Sequence, residues 1–350
     1  MLPLATERNI GMSRPTIKDV AEHAGVSQST VSRALSTPGI VKEETARRIH
    51  EAAKSLSYVY NATAGSLSSR KTDALGVILP SSAYSGFATN LMGIQDVCSE
   101  RNFSCRIAAS QFQPEKELLA MRKYHEQRVS GLLMAGIDPT NVPYLQTMID
   151  DGIPAVVLWE TPGESFNYIA IDNYKAAYEG IKYLIALGHK RIALLSGLYT
   201  CAQRNVARLA GYKAVLTAHG LPFDAKLVRS HLPTFLDGKE AMRACLLMDD
   251  PPTAVLCVDD YMAIGAIRAI HEAGLRVPED ISVCGFDDVD ISAYFNPPLT
   301  TIKTPGQMMG RMAAEAIINA IEKDMPLQAK YILDAELVVR GTCAVHGQRR

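Results

Sequence analysis

A chain of 350 residues can hold two or three domains, and 47% hydrophobic with 21% charged residues describes an ordinary soluble globular protein. The net charge of −1 excludes a polyanion-binding bias for the whole molecule, yet residues 1–72 carry ten Lys/Arg against six Asp/Glu, a net of +4 that leaves −5 for the remainder. Seven scattered cysteines, never spaced CxxC, argue against zinc or a disulfide scaffold and fit a reducing cytosol.

No apolar run approaches membrane-spanning length, and the opening MLPLATERNIGMS lacks the basic-then-apolar order of an export signal. A cytoplasmic protein without membrane contact is expected. Residues 1–13 read as a loose tail, and Met12 offers a second start.

The stretch TIKDVAEHAGVSQSTVSRAL, residues 16–35, predicts two short helices. Ile17, Val20, Ala21 and Ala24 repeat at helical spacing; Gly25 permits a sharp turn, and Ser27 is a good N-cap for the second helix. Val31, Ala34 and Leu35 then face inward, leaving Gln28, Ser29, Ser32 and Arg33 outside. This is a helix-turn-helix whose outer face suits the donors and acceptors of the DNA major groove. Turn glycine, cap and polar face coincide, which sets it apart from a two-helix fragment of an ordinary domain.

Ser36-Thr37-Pro38-Gly39 reads as a loop. A third helix follows with Ala46, Ile49, Ala53 and Leu56 on one face and Glu43 and Glu44 complementing its dipole. From 59 to 72 the composition alone is that of a small-residue linker.

From Asp73 short apolar runs alternate with amphipathic helices. Strands are predicted at 75–79, 104–108, 131–135, 155–158, 192–195, 254–257 and 281–285, and helices near 88–102, 115–128, 143–151, 173–187, 205–219, 238–248, 261–273 and 305–323. Gly188, Gly220 and Gly274 stand where helix-ending glycines belong. Such alternation means parallel sheets wrapped by helices, here in two Rossmann-like lobes. Ligands of such sheets bind beyond the strand carboxyl ends. The candidate site is therefore Ser81 to Phe87, Trp159-Glu160, Ser196-Gly197, Asp259-Asp260 and Asp287-Asp288, gathered around one cleft.

The headpiece string is similar to that of the lactose-repressor and purine-repressor family of bacterial transcription regulators. The body resembles the family too, and through it the periplasmic sugar-binding fold, in RVSGLL, GIPAVVL, YLIALGHKRIALLSG, RLAGY, VDDYMAIGAIRAI, GLRVPEDISVCGFDD and PPLTTIKTPGQMMGR. The resemblance covers about Thr16 to Gly341.

It implies a helix-turn-helix headpiece (14–58), a hinge (59–72), a two-lobed effector-binding and dimerising body (73–341) and a tail (342–350). The N-lobe is expected at 73–171 and 304–330, the C-lobe at 172–300 and 331–341. The family's hinge orders only when two copies meet over the minor groove, where a leucine wedges between base pairs; the matching residue is Leu67, near Asn61. Tyr60 replaces the common proline before that asparagine, and Lys42 a common serine cap, which frees a lysine for phosphate.

Gln28, Ser29 and Arg33 should touch base edges, and Ser27, Thr30, Ser32, Lys42 and Thr45 phosphate. Arg208, Asp259 and Asp287 occupy effector-gripping positions, and their chemistry suits hydroxyl pairs of a sugar. Asp259 fits equally a cap for the next helix. Trp159 stands where sugar-sensing relatives place aspartate and reads as a ring platform or an interlobe plug, with Glu160 able to supply a carboxylate. Tyr84 and Phe87 would form an opposite wall, and Thr304 replaces a glutamine of the lactose-sensing member.

The expected partners are a pseudo-palindromic double-stranded operator, a second copy of the chain and a small effector, with no metal or cofactor. A sugar that relieves repression is the leading expectation and a purine-like co-repressor the alternative. The chain shows no leucine heptads after the body, so a dimer is expected rather than a coiled-coil tetramer. A solute-binding protein without DNA contact conflicts with the basic headpiece. No GxSxG, HExxH, GxxxxGK[ST] or post-strand GxGxxG argues for an enzyme, and the two Asp-Asp pairs lack a nucleophile or metal set. His189 is expected as a cation behind a helix C-terminus, without a catalytic role.

Overall fold

The computed structural model describes residues 15–36, 39–60, 72–81, 85–198 and 202–347. The chain divides into two compact units, Met1–Thr72 and Asp73–Arg350. Asn61, Leu67 and Tyr84 lie outside the described residues.

The first unit contains α1 (Ile17–Ala24), α2 (Gln28–Ser36) and α3 (Glu43–Ser55). Asp19 Oδ2 fixes the start of α1 by accepting from the Thr16 amide and hydroxyl at 2.7 and 2.8 Å. Gly25 turns the chain at φ 66°, and Ser27 Oγ caps α2 by accepting from the Thr30 amide at 3.2 Å. Val20, Ala21, Ala24, Val31, Ala34, Ile49, Ala52 and Ala53 form the core. Ser36 closes α2 rather than opening the loop, because the helical repeat of Val31 and Ala34 carries on to it.

The second unit holds two six-stranded sheets among its described residues. In the first, β1 (Ala74–Leu79), β2 (Ser104–Ala109), β3 (Gly131–Ala135), β4 (Ala155–Trp159), β5 (Asn167–Ile171) and β11 (Lys330–Leu333) run parallel in the order β11-β5-β4-β3-β1-β2. In the second, β6 (Ile192–Ser196), β7 (Val228–Ser230), β8 (Ala254–Cys257), β9 (Ser282–Asp287), β10 (Thr300–Lys303) and β12 (Glu336–Val338) are ordered β12-β10-β9-β8-β6-β7. Only the β10–β12 pairing there is antiparallel. Central strands β1, β3, β4, β6 and β8 are buried throughout, as parallel strands covered on both faces must be.

Around the first sheet pack α4 (Ser85–Glu100), α5 (Pro114–Glu126), α6 (Val142–Asp150) and α12 (Gly306–Glu322). The second carries α7 (Asn173–Ala186), α8 (Gln203–Ala218), α9 (Phe235–Leu246), α10 (Asp260–Glu272) and the short α11 (Asp290–Tyr294). Asp172 and Thr234 cap α7 and α9 by accepting from the Lys175 and Asp237 amides at 2.9 Å each. No helix of the described residues is long and apolar enough to cross a membrane.

The chain crosses between lobes three times, and the last crossing shifts from its expected place. The first crossing follows β5, and β10 carries the second lobe to Lys303 before the second crossing. Lys330–Leu333 pairs with β5, so the last crossing falls at Asp334-Ala335 rather than 330–331. Its ladder with Tyr168 to Ile171 holds it in the first lobe. Residues 342–346 are likewise part of the second lobe rather than a tail. Thr342 is fully buried, its hydroxyl donating to the Val283 carbonyl at 2.6 Å, and the His346 amide donates to the Leu187 carbonyl at 2.8 Å.

His189 is not the expected cation. Its ring is 2% exposed, with Nδ1 2.9 Å from Thr253 Oγ1 and Nε2 3.0 Å from Ser282 Oγ, and burial pushes its pKa down to about 4. The neutral imidazole thus links α7's end to the strands around Ser282. The unfolded chain binds this proton below about pH 6.5 while the native one refuses it until about 4, so stability falls as pH drops through that window. Wild type should lose up to about 3 kcal/mol more than His189→Gln between pH 7 and 4, read from urea unfolding. Buried carboxylates present in both proteins cancel in the difference. Equal losses would remove His189 from the pH response.

Candidate functional site

On the headpiece, Ser27, Gln28, Ser29 and Arg33 are exposed, while Thr30, Ser32 and Thr45 are half-buried. The Ser27 hydroxyl lies 2.8 Å from both Ser29 Oγ and Thr30 Oγ1, making a hydroxyl cluster at the start of α2. Lys42 precedes α3 with no side-chain capping bond and is exposed. Arg48 has a structural task that the sequence did not reveal: its Nη2 donates to the Ala24 carbonyl and ties α3 to the turn. The described face is thus polar, with Arg33 and Lys42 as its exposed cations at the predicted positions.

In the body, the carboxyl ends of both sheets open onto one cleft of about 560 Å³. From the first lobe come Gly86 and Phe87 after β1, Phe112 after β2 and Trp159 at the end of β4. From the second come Gly197 and Leu198 after β6, Leu232 and Pro233 after β7, Val258 and Asp259 after β8, and Asp287 at the end of β9. Arg204, Asn205 and Arg208 enter from the first turns of α8.

Two strand-terminal residues facing this cleft hold left-handed backbone, Trp159 at φ 75° and Asp287 at φ 104°. Both belong to residue types with a β-carbon, and such strain persists only where surroundings impose it. Trp159 is 2% exposed. Its indole N–H donates to Asn90 Oδ1, which anchors it, while its ring lies edge-on to Phe87 at 6.2 Å on the cleft wall. Phe112 extends this wall at 6.3 Å from Phe87.

Arg208 is the polar centre. Its Nε donates to Asn173 Oδ1 at 2.9 Å, its Nη1 to the Val258 carbonyl at 3.0 Å, and its guanidinium stacks 3.8 Å over Phe286. Asn173 also donates through Nδ2 to the Trp159 carbonyl at 2.7 Å, so one amide joins the first crossing, β4 and α8. Burial lowers the Arg208 pKa to about 10, and Asp287 opposes the fall.

Burial raises Asp287 to about 6, with the nearby Arg208 holding it from rising further and the Thr304 hydroxyl 3.4 Å away. Burial pushes Asp259 well above the usual carboxylate range, reinforced by the negative charges of Asp287 and Asp260. Asp259 caps α10, accepting from the Tyr261 amide at 2.7 Å, and still lines the cleft; cap and site coincide. A β-carbon at Gly86 would fall 2.8 Å from Asp287 Oδ2, so backbone of one lobe approaches the carboxylate of the other only through glycine.

Some expectations are displaced. Thr304 stands behind Asp287 rather than on the cleft wall. Glu160 is turned into an ion pair with Arg204 at 3.5 Å, and its Oε1 accepts from the Ile137 amide at 2.8 Å. Asp260, suspected of acid–base work, has both oxygens committed: Oδ2 to the Val289 amide and Ser292 hydroxyl, Oδ1 to the Thr301 hydroxyl, at 2.9, 2.8 and 2.6 Å.

Phe112, Arg204, Asn205, Leu232, Pro233, Asn90 and Asn173 were not foreseen. Phe112 follows a predicted strand and obeys the same carboxyl-end rule. Arg204 and Asn205 lie four and three residues before Arg208, on the same helix face, which was a readable signal. Leu232 and Pro233 follow β7, a strand of three residues with too little pattern to detect.

Residues 16–61 match the model of bacterial regulatory proteins of the lacI family, and residues 181–343 that of a periplasmic binding protein-like domain. The chain is 33% identical over 326 residues to the HTH-type transcriptional repressor PurR of Histophilus somni strain 129Pt, an alignment covering 93% of this chain and 98% of that one. The chain belongs to the lacI family. It is a DNA-binding transcriptional repressor of that family, with a headpiece followed by a two-lobed body.

Its structure matches a crystal structure of the lac repressor dimer bound to operator and the anti-inducer ONPF, with TM-score 0.83, 30% identity and coverage of 95% of this chain and 100% of that one. A transcriptional regulator CelR–cellobiose complex matches with TM-score 0.70 and 29% identity, covering 94% and 100%. Among the described residues no cluster of His, Cys, Asp and Glu could hold a metal ion.

Asp260 organises the second lobe rather than any chemistry. Asp260→Ala leaves three buried donors without an acceptor and should cost about 3 kcal/mol in chemical unfolding. A loss below about 1 kcal/mol would mean the loop after β9 is held by other contacts.

Proposed function

We propose that this repressor releases its operator when a sugar or sugar derivative binds in the interlobe cleft. The observation that carries the reading is the set of buried Arg208 and Asp259 with half-buried Asp287 opposite the rings of Phe87, Phe112 and Trp159. Carboxylates accept from hydroxyl pairs, a guanidinium bridges ring oxygens, and aromatic faces cover the apolar face of a pyranose. A cellobiose complex also stands among the structural neighbours. Three aromatic rings on one wall also favour a second reading, a flat purine-like co-repressor that strengthens operator binding.

In this account α2 enters the major groove, with Gln28, Ser29 and Arg33 on base edges and Ser27, Thr30, Ser32, Lys42 and Thr45 on phosphate. Asn61 and Leu67 belong to a hinge over the minor groove, Leu67 supplying the wedge. Two copies of the chain read a pseudo-palindrome in the cytoplasm. Exposed apolar side chains suited to pairing stand on both lobes, Ile107 and Leu119 on the first, Leu236 and Leu247 on the second. Effector rotates one lobe against the other, the two hinges lose their spacing, and operator affinity falls.

A double dissociation tests the assignment. Arg33→Ala should weaken specific operator binding by about tenfold or more while effector binding stays within about twofold. Asp287→Ala should abolish the effector response and leave operator affinity in effector's absence intact. Fluorescence anisotropy on labelled operator reads both; an Asp287→Ala protein that responds normally would move the effector elsewhere.

A further inference from the structure

The 16-residue helix α8 begins at the cleft, where Ala202, Arg204 and Asn205 all line the wall. Its N-cap is Ala202, which makes no side-chain capping bond, so this helix end, positive from its aligned peptide dipoles, gains no cap from its own N-cap residue. An independent observation points to a ligand there. The Arg204 side chain is only 8% exposed, yet its Nη1 has no hydrogen-bond partner.

The group nearest to that end is a carboxylate. Glu160 Oε2 accepts from the Arg204 backbone amide at 3.4 Å and lies 3.5 Å from Nη1, long on both counts. Glu160 is held more firmly elsewhere, through Oε1 and the Ile137 amide at 2.8 Å. Beneath the guanidinium lies the Phe87 ring at 5.4 Å.

Arg208, one turn on, differs in having its needs met by Asn173, Val258 and the neighbouring Asp287. Glu160 comes from the first lobe and Arg204 from the second, so their loose ion pair bridges the cleft. The other charged groups on the wall are Asp259 and Asp287, placed beside Arg208.

We propose that the first turn of α8, centred on Arg204, is an anion subsite of this cleft that takes a carboxylate or phosphate group of the effector in place of Glu160. The proposal rests on the reading that the cleft binds the effector, and it makes that effector an acidic sugar: a sugar acid or a phosphorylated sugar. One arginine serves the hydroxyl network with Asp287, and the other serves the anion. Exchange of Glu160 for a ligand anion also undoes the interlobe ion pair, which couples this recognition to lobe rotation.

Trp159, the sole tryptophan, stands on the cleft wall and gives a direct readout of occupancy. Wild type, Arg204→Gln and Glu160→Gln are titrated at constant ionic strength with aldoses, their uronic and aldonic acids, and their phosphate esters. Wild type should bind an acid or ester at least about tenfold tighter than the neutral sugar of the same stereochemistry. The better class identifies the anion.

Arg204→Gln should erase the preference, so that anionic and neutral sugars of one stereochemistry bind alike, and Glu160→Gln, freed of the competing carboxylate, should tighten anion binding several-fold. Arg204→Lys should retain part of the preference, which a purely structural role would not produce. Equal affinity for neutral and anionic sugars, or a preference undiminished in Arg204→Gln, overturns the subsite while leaving the cleft reading in place. No binding by any member of either class takes down both.

Discussion

A guanidinium almost fully withdrawn from water sets the terms for the body of this protein. Arg208 is 4% exposed, and a charge so buried survives only with acceptors fixed around it. The Val258 carbonyl, Asn173 Oδ1, the Phe286 face and the nearby Asp287 carboxylate supply them. They come from the end of β8, the start of α7 and the end of β9, so the charge can be accommodated only once the second lobe has assembled. Through Asn173 the same network reaches the Trp159 carbonyl in the first lobe. A ligand that touches Arg208 or Asp287 therefore acts on a junction between lobes.

Topology explains why the junction lies where it does. In both sheets the chain leaves the founding strand to one side, through β2 or β7, and returns to the other, through β3 or β8. Each reversal opens a crevice at the strand carboxyl ends. The three crossings, after β5, after β10 and at Asp334-Ala335, join the lobes by short segments. Short connections of this kind are compatible with the proposed turning of one lobe against the other.

Much of this was legible in the sequence, and the exceptions have physical reasons. The seven predicted strands and eight predicted body helices appear because long apolar runs and amphipathic repeats carry strong periodic signals. β7, β11 and β12 are three or four residues each and partly exposed at sheet edges, so no burial pattern marks them. The carboxyl-end rule located Phe87, Trp159, Asp259 and Asp287 around one cleft, but not Asn173 or Arg204, which reach partners in the other lobe. His189 was misread because its helix-end position suggests a cation, while three-dimensional burial against Thr253 and Ser282 excludes one. For Glu160 the sequence offered a place beside the cleft, and only the fold supplied Arg204 and Ile137 to hold it.

Under the proposed function, cleft and headpiece answer to one another. The most direct measurement is a nuclease footprint on DNA upstream of the protein's own gene, taken across a sugar panel alongside Trp159 fluorescence. A protected pseudo-palindrome is expected, with half-sites about one helical turn apart, that is released by the compounds that change the tryptophan signal. Protection that persists unchanged at saturating concentrations of a compound bound in the cleft would contradict it.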